Sequence, residues 1–373
     1  MMRTGLDQLL ERGLPPDRVG VLTHPSGVTA DLRHGVDALI AAGADVVAVY
    51  GAEHGFRGTA QAGASEPSST DPATGARVFD TYGAGPAALR DMLGGIDVLL
   101  VDLQGVGARF YTYESTLYDV IGATVGGGPR VIVLDRPNPI GGSTVAGPML
   151  DPAYASFVGR APLPVRHGLT MGELALLFAD LHGAPPVEVV ELAGWRRADY
   201  YPATGRPWVP PSPNIPTAAT TVCYPGTCLL EGTSLAPGRG TTTPFQVCGA
   251  PYADGRLADA LRSARLPGVL IRETQFVPTF SDYAGEPVTG VALHVTDPVA
   301  YQPMTTAVTL LAAAHRIWPA EMTFRESHLD RLAGGPALRL AICAGAEPTQ
   351  IVAEWTEDVE DFRRRRAPYL LYS

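Results

Sequence analysis

The sequence predicts an α/β protein: a Rossmann-like parallel sheet domain followed by a smaller α+β domain, with a cleft between them. Three observations point there. Through the first half, short apolar runs alternate with helical patterns, the signature of βα units feeding a parallel sheet. At 202–216 the stretch "PATGRPWVPPSPNIP" carries too much proline for a helix or a central strand. The length of 373 residues also exceeds what one ordinary core holds. Domains over 1–205 and 206–373 follow.

The predicted strands are "VGVLTH" (19–24), "ADVVAVY" (44–50), "IDVLLVDL" (96–103), "RVIVLD" (130–135) and "VEVVEL" (187–192), each a run of β-branched and aliphatic residues. Between them helices are expected over 32–42, 86–93, 116–125 and 170–182. The third sets Leu117, Val120, Ile121 and Val125 on one face, and Thr170 with Glu173 has the spacing of a capping box at the start of the fourth. Beyond the prolines come strand-like "VLIRETQFVP" and "GVALHVTD", one helix near 301–317 and another near 346–363.

Composition removes several function classes. A net charge of -10, with its 28 basic residues scattered, disfavours nucleic acid, because neutralising phosphates takes clustered cations. All 28 are Arg. A chain without Lys has no Walker A phosphate loop, no Schiff-base lysine and no lysine general base. No segment approaches the ~20 apolar residues of a membrane span. The opening "MMRTGLDQLLERG" lacks the regions of a secretory signal, so a cytoplasmic protein is expected. Cys223, Cys228, Cys248 and Cys343 form no CxxC pair and are expected as reduced thiols, with no metal and no cofactor.

Ligands of open parallel sheets bind beyond the carboxyl ends of the strands. Four consecutive strand ends here deliver polar groups: "THPSG" with His24; "GAEHGFRG" with Glu53, His54 and Arg57; "DLQGVGARFYTYEST" with Asp102, Gln104, Arg109, Tyr111, Tyr113 and Glu114; and "DRPNP" with Asp135, Arg136 and Asn138. A dinucleotide site is excluded, since "GVGARF" has Phe110 where the fingerprint needs its third glycine. Neither GxSxG nor HExxH occurs. What remains is carboxylates and cations among aromatics, the equipment for cleaving a glycosidic bond. A second cluster, "CLLEGTSLAPGRGTTTPF", places Glu231 and Arg239 among glycines as a candidate cleft wall. Asp135 and Arg136 are expected to pair and brace their loop, with Asn138 a hydroxyl ligand; Trp208 and Tyr224 fit either a stacking platform or packing.

The strings "GAEHGFRG", "DLQGVGARFYTYEST", "DRPNPIGG", "RHGLTMGELA", "WVPPSPNIPT" and "LEGTSLAPGRGTTTPF", in this order, closely resemble the exo-β-N-acetylmuramidase family of NamZ-type glycoside hydrolases, from about residue 5 to the C-terminus. The resemblance implies a Rossmann-like domain joined to a smaller one, and metal-free release of terminal N-acetylmuramic acid from peptidoglycan fragments. It points to Glu53 as the catalytic acid with Glu114 as the next candidate, and His54 as an orienting or sugar-contacting member of the catalytic set. Arg57, Asp102, Gln104, Arg109, Tyr113, His167, Asn214, Glu231 and Arg239 are the expected substrate-binding residues for a sugar or muropeptide. Because the lactyl carboxylate of muramic acid calls for a cation and only Arg is present, Arg57, Arg109 or Arg239 is expected to meet it. Two other readings stand beside this one: a hydrolase or lyase using the same acids on an ester or amide, and a sugar-binding protein that cleaves nothing.

Overall fold

The computed structural model describes residues 2–61, 63–64 and 67–373, and the chain divides into two compact units. The first comprises Met1–Thr144, Gly168–Pro213 and Arg365–Ser373; the second comprises Val145–His167 and Asn214–Arg364. The division at Pro213/Asn214 falls inside the proline stretch, beyond the expected 205/206 boundary. Each unit also contains a segment that a single cut assigns to the other: 145–167 belongs to the second and the C-terminal residues to the first. Neither has a compositional mark.

The first unit is built on a seven-stranded sheet. Its strands are β1 (Arg18–Thr23), β2 (Asp45–Gly51), β3 (Ser69–Thr70), β4 (Arg77–Asp80), β5 (Val98–Asp102) and β6 (Arg130–Leu134); after β7 (Ala146–Met149) and β8 (Pro164–Arg166), which form a small antiparallel pair in the second unit, β9 (Glu188–Val190) completes it. The order is β3-β4-β2-β1-β5-β6-β9, parallel throughout except for β3 at the edge. Strands buried on both faces read as unbroken apolar runs, which is why β1, β2, β5 and β6 are visible in the sequence. β3 and β4, two and four residues long, are not.

Helices α1 (Gly5–Arg12) and α2 (Gly35–Ala41) cover one face, where Leu6, Leu9, Val36 and Leu39 join Val19, Val21, Val49, Val98, Leu100, Ile132 and Leu134 in one core. α3 (Pro86–Met92), α4 (Thr112–Ala123) and α5 (Met171–His182) follow. Thr170 and Glu173 form the expected capping box on α5. α4 begins four positions ahead of its expected start, so Glu114 lies inside its first turn.

The second unit carries a three-stranded antiparallel sheet, β10 (Val247–Ala250), β11 (Val269–Phe276) and β12 (Val288–Val295), in the order β10-β12-β11. Its helices are α6 (Ala218–Thr227), α7 (Gly255–Ser263), α8 (Pro303–Ile317), α9 (Glu326–Ala333), α10 (Ala337–Cys343) and α11 (Pro348–Ala353). α12 (Thr356–Arg366) is separate from α11, so the single helix expected near 346–363 is two. All four cysteines are free thiols.

Candidate active site

In the first sheet the chain leaves β1 in both directions, outward to β2 and β4 on one side and to β5, β6 and β9 on the other. The carboxyl ends of β1 and β5 are therefore the switch point at which such sheets hold ligands. His24 and Gln104 meet there: the Gln104 backbone N–H donates to His24 Nε2 at 2.7 Å. That amide only donates, so Nε2 accepts; Nδ1 lies 3.3 Å from the Ser26 backbone N and 3.1 Å from Ser26 Oγ. Burial, then the nearby Arg136, hold the His24 imidazole well below its ordinary pKa, hence neutral. The Gln104 side chain donates to the carbonyls of Gly105 and Pro137 (2.8 and 2.9 Å).

β2 ends at Gly51 and the chain turns at once, with His54, Gly55 and Gly58 at φ of 77°, 78° and 82°. A left-handed histidine is uncommon, and the loop it opens folds back onto it. The His54 N–H donates to the Ala64 carbonyl (3.1 Å), its carbonyl accepts from the Ala60 N–H (3.2 Å), and its ring Nδ1 donates to the Ala60 carbonyl (3.2 Å). The Glu53 carboxyl is gripped from two sides, by the Gly63 N–H on Oε1 at 2.7 Å and the Thr112 hydroxyl on Oε2 at 2.5 Å. Tyr113 donates to the Pro211 carbonyl (2.7 Å) and reaches the Glu53 carbonyl (3.3 Å), while its ring lies 4.8 Å from that of His24 and 4.8 Å from that of Tyr111. Burial, and then the Glu53 charge, raise the phenols of Tyr82 and Tyr113. Glu53, Tyr82, Thr112 and Tyr113 thus form one cluster.

Glu114 sits deeper. A Cβ placed on Gly105 would stand 2.9 Å from Met171 Sδ and 3.1 Å from Glu114 Oε1, so the backbone passes close to the carboxyl. Burial pushes Glu114 well above the usual carboxylate range, partly offset by the backbone N–H groups of Glu114 and Val106.

The arginines divide sharply. Arg57 is clamped by Asp37 (3.1 and 3.2 Å) and Asp71 (2.9 and 3.4 Å), with its guanidinium 4.7 Å from the Phe56 ring centre, so it braces the loop. Arg136 pairs with Asp102 through two bonds of 2.6 and 3.0 Å. The expected Asp135–Arg136 side-chain pair is therefore incorrect. Asp135 accepts instead from the backbone of Arg136 (2.9 Å) and Gly172 (2.8 Å) and from the hydroxyls of Thr170 (2.7 Å) and Tyr372 (2.6 Å), and burial raises its carboxyl to about 6. Arg109 is 1% exposed and burial pushes its guanidinium down to about 9. Asn138 ties Leu169 to Ile140 (3.0 and 3.1 Å), bracing the loops. Trp208 meets the Tyr201 ring edge-on at 4.7 Å. A pocket lined by Ser26, Gln104, Arg136, Arg206 and Trp208 has room for about one water, about 10 Å³, and is too small for a sugar ring.

The second unit holds the other candidates. Arg239 is ion-paired with Glu231 and stacked 5.0 Å from the Phe245 ring centre, which also meets Tyr224 edge-on at 4.8 Å; Tyr224 is thereby packing. His167 is buried next to β8. Asn214 is 3% exposed, and its Nδ2 donates to no protein group among the described residues, which leaves a buried donor for a ligand or water. Sequence reasoning passed over Thr112, Tyr82, Asp37 and Asp71. None has a local signal, since each acts across a gap in sequence, 59 positions between Thr112 and Glu53.

Residues 19–219 match the family model described as exo-beta-N-acetylmuramidase NamZ, N-terminal, and residues 222–372 match its C-terminal counterpart. The peptidoglycan beta-N-acetylmuramidase NamZ of Bacillus subtilis (strain 168) is 39% identical over 378 residues, spanning 100% of this chain and 91% of that protein. Two crystal structures of DUF1343 family proteins from Bacteroides fragilis NCTC 9343 are similar across the full chain and 99% of their own, with TM-scores of 0.91 and 0.81 and identities of 33% and 30%.

Proposed function

Because the chain belongs to the exo-β-N-acetylmuramidase NamZ family and is a glycoside hydrolase of peptidoglycan, we propose that it releases terminal β-linked N-acetylmuramic acid from peptidoglycan fragments, with Glu53 as general acid. The chemistry needs a carboxylic acid that protonates the leaving oxygen while the anomeric carbon gains positive charge, and a second group that stabilises or attacks that carbon. The observation that carries the reading is the mounting of Glu53: at the carboxyl end of a central strand, 8% exposed, with each carboxyl oxygen fixed by a separate donor. Fixed orientation is what general acid catalysis requires of its donor.

Glu53→Gln keeps the shape and an acceptor for the Gly63 N–H but has no proton to give. It is expected to lower kcat by roughly 10²–10⁴-fold on a muramyl disaccharide, whose leaving group needs protonation, and far less on a nitrophenyl β-N-acetylmuramide, whose leaving group does not. Equal losses on both substrates refute the assignment. The upward push of burial on the Glu114 carboxyl supports a second reading, in which that residue is the acid; the same two substrates applied to Glu114→Gln separate them. Tyr113, Gln104, Asp102 and Arg109, which belong to the same unit as Glu53, are the supporting binding set of this reading.

A further inference from the structure

The two donors on Glu53 differ in kind. Gly63 offers a backbone N–H, which can only donate, so Oε1 keeps a lone pair toward it in every protonation state. Thr112 offers a hydroxyl, which both donates and accepts. When Glu53 is ionised the Thr112 hydroxyl donates to Oε2; when Oε2 carries a proton the hydroxyl turns and its oxygen becomes an acceptor. Thr112 is the first residue of α4, directly after the N-cap Tyr111, and Tyr113 anchors the same turn on the Pro211 carbonyl (2.7 Å). The hydroxyl is therefore fixed in space while its hydrogen is free to rotate.

We propose that Thr112 is a positioning residue for catalysis: it assigns the transferable proton to Oε2 of Glu53 and holds that oxygen in one place before and after the proton leaves. The inference rests on the reading of Glu53 as general acid. In the step itself the Oε2–H turns from the Thr112 oxygen to the glycosidic oxygen and breaks, the proton passes to that oxygen as its bond to the anomeric carbon breaks, and that bond's electron pair stays with the departing oxygen. The negative charge left on Oε2 is met by the Thr112 O–H. Water then supplies the hydroxyl of the released sugar, and its other proton restores the acid.

The test compares Thr112→Val, which keeps the shape without the hydroxyl, with Thr112→Ser, which keeps the hydroxyl. Parent and variants, with Glu53→Gln alongside, are assayed on a muramyl disaccharide and on the nitrophenyl muramide. Thr112→Val is expected to lose about tenfold in kcat on the disaccharide, the kinetic equivalent of one hydrogen bond, with a much smaller loss on the nitrophenyl substrate, KM nearly unchanged, and Thr112→Ser restored most of the way. Parent-like kcat for Thr112→Val on the disaccharide overturns the proposal, as does an equal loss on both substrates that Ser does not rescue. If Glu53→Gln shows the leaving-group split and Thr112→Val does not, the positioning role fails and the acid stands. If Glu53→Gln shows no split, the acid assignment fails and the role of Thr112 falls with it. Should Thr112→Val not fold, Thr112→Ala is read by the same criteria.

Discussion

Replacing Asp102 by Asn tests how the switch point is held together. Asp102 and Arg136 have side chains 2% and 4% exposed, joined by bonds of 2.6 and 3.0 Å, and the remaining Arg136 contact of this kind is the Val28 carbonyl at 3.1 Å. The backbone crowds the carboxyl, because a Cβ on Gly27 or Gly35 would stand 3.0 or 3.2 Å from Asp102 Oδ2. Asn fits this space where a larger residue does not. It leaves a buried guanidinium with its charge uncompensated, and breaking such a pair costs about 3–5 kcal/mol. At about 2–4 °C per kcal/mol for a domain of this size, the melting temperature is expected to fall by roughly 6–20 °C. Adding Arg136→Met removes the stranded charge, so the double variant is expected to recover a large part of the loss. Thermal and urea unfolding of the parent, both single variants and the double close the cycle. A loss under about 1 kcal/mol for Asp102→Asn, or a double variant that merely sums the singles, refutes the reasoning.

Three further outcomes follow from the geometry. His24 has a folded-state pKa below its unfolded value, so in the interval between them the unfolded chain binds a proton that the folded chain does not; stability falls as pH drops below about 6.5, at up to ~1.4 kcal/mol per pH unit from this residue. His24→Gln, whose carbonyl can accept the Gln104 N–H, is expected to flatten the urea-derived stability slope below about pH 6.5 by up to about one proton, and an unchanged slope counts against it. Gly5→Ala would place a Cβ 2.4 Å from the backbone of both Asp135 and Val190, which cannot yield as a side chain does, so α1 must shift at a cost of roughly 1–3 kcal/mol, measured by urea unfolding. For the lactyl carboxylate, Arg57 and Arg239 already hold carboxylates of the protein, and a charge pair with the deeply buried Arg109 is the one least screened by water. Arg109→Gln is expected to cut the preference for muramides over glucosaminides by at least about tenfold in kcat/KM, and Arg57→Gln to leave it in place; a folded Arg109→Gln with the parent's ratio removes it from that role.

The central strands were legible because a strand buried on both faces has to be apolar along its whole length, as in "VLLVD" at β5. α1 was not, although its capping box of Thr4 and Asp7 is written in "TGLD", because charge alternating with leucine in eight residues is a weak pattern. The expected helix start at 116 left Glu114 ahead of α4, and only the fold shows the aromatic ring of Tyr113 against that of His24. Adjacency misled at Asp135 and Arg136: successive side chains leaving a strand point to opposite sides, so neighbours in sequence find different partners. The polar identity of the strand ends could be read off directly. Which donor meets which carboxylate could not, since Thr112, Asp71 and Asp37 reach their partners through tertiary packing alone.

The C-terminal residues belong to the first unit: Tyr372 donates to Asp135 (2.6 Å), the Leu371 N–H donates to Glu173 (2.9 Å), and Arg366 donates to the carbonyls of Gly142 and Gly168 (3.0 and 2.7 Å). During synthesis a chain emerges from its N-terminus at about 5–20 residues per second, and domains commonly fold in that order. Here the order is inverted in part. Asp135 and Glu173 leave the ribosome early, yet these donors lie 237 and 198 positions later, so the first unit stays incomplete until the second has been made. A chain stalled or clipped before Leu371 carries buried carboxyls lacking these donors in a sheet otherwise fully formed, so closure of the first unit reports that the second has already been synthesised.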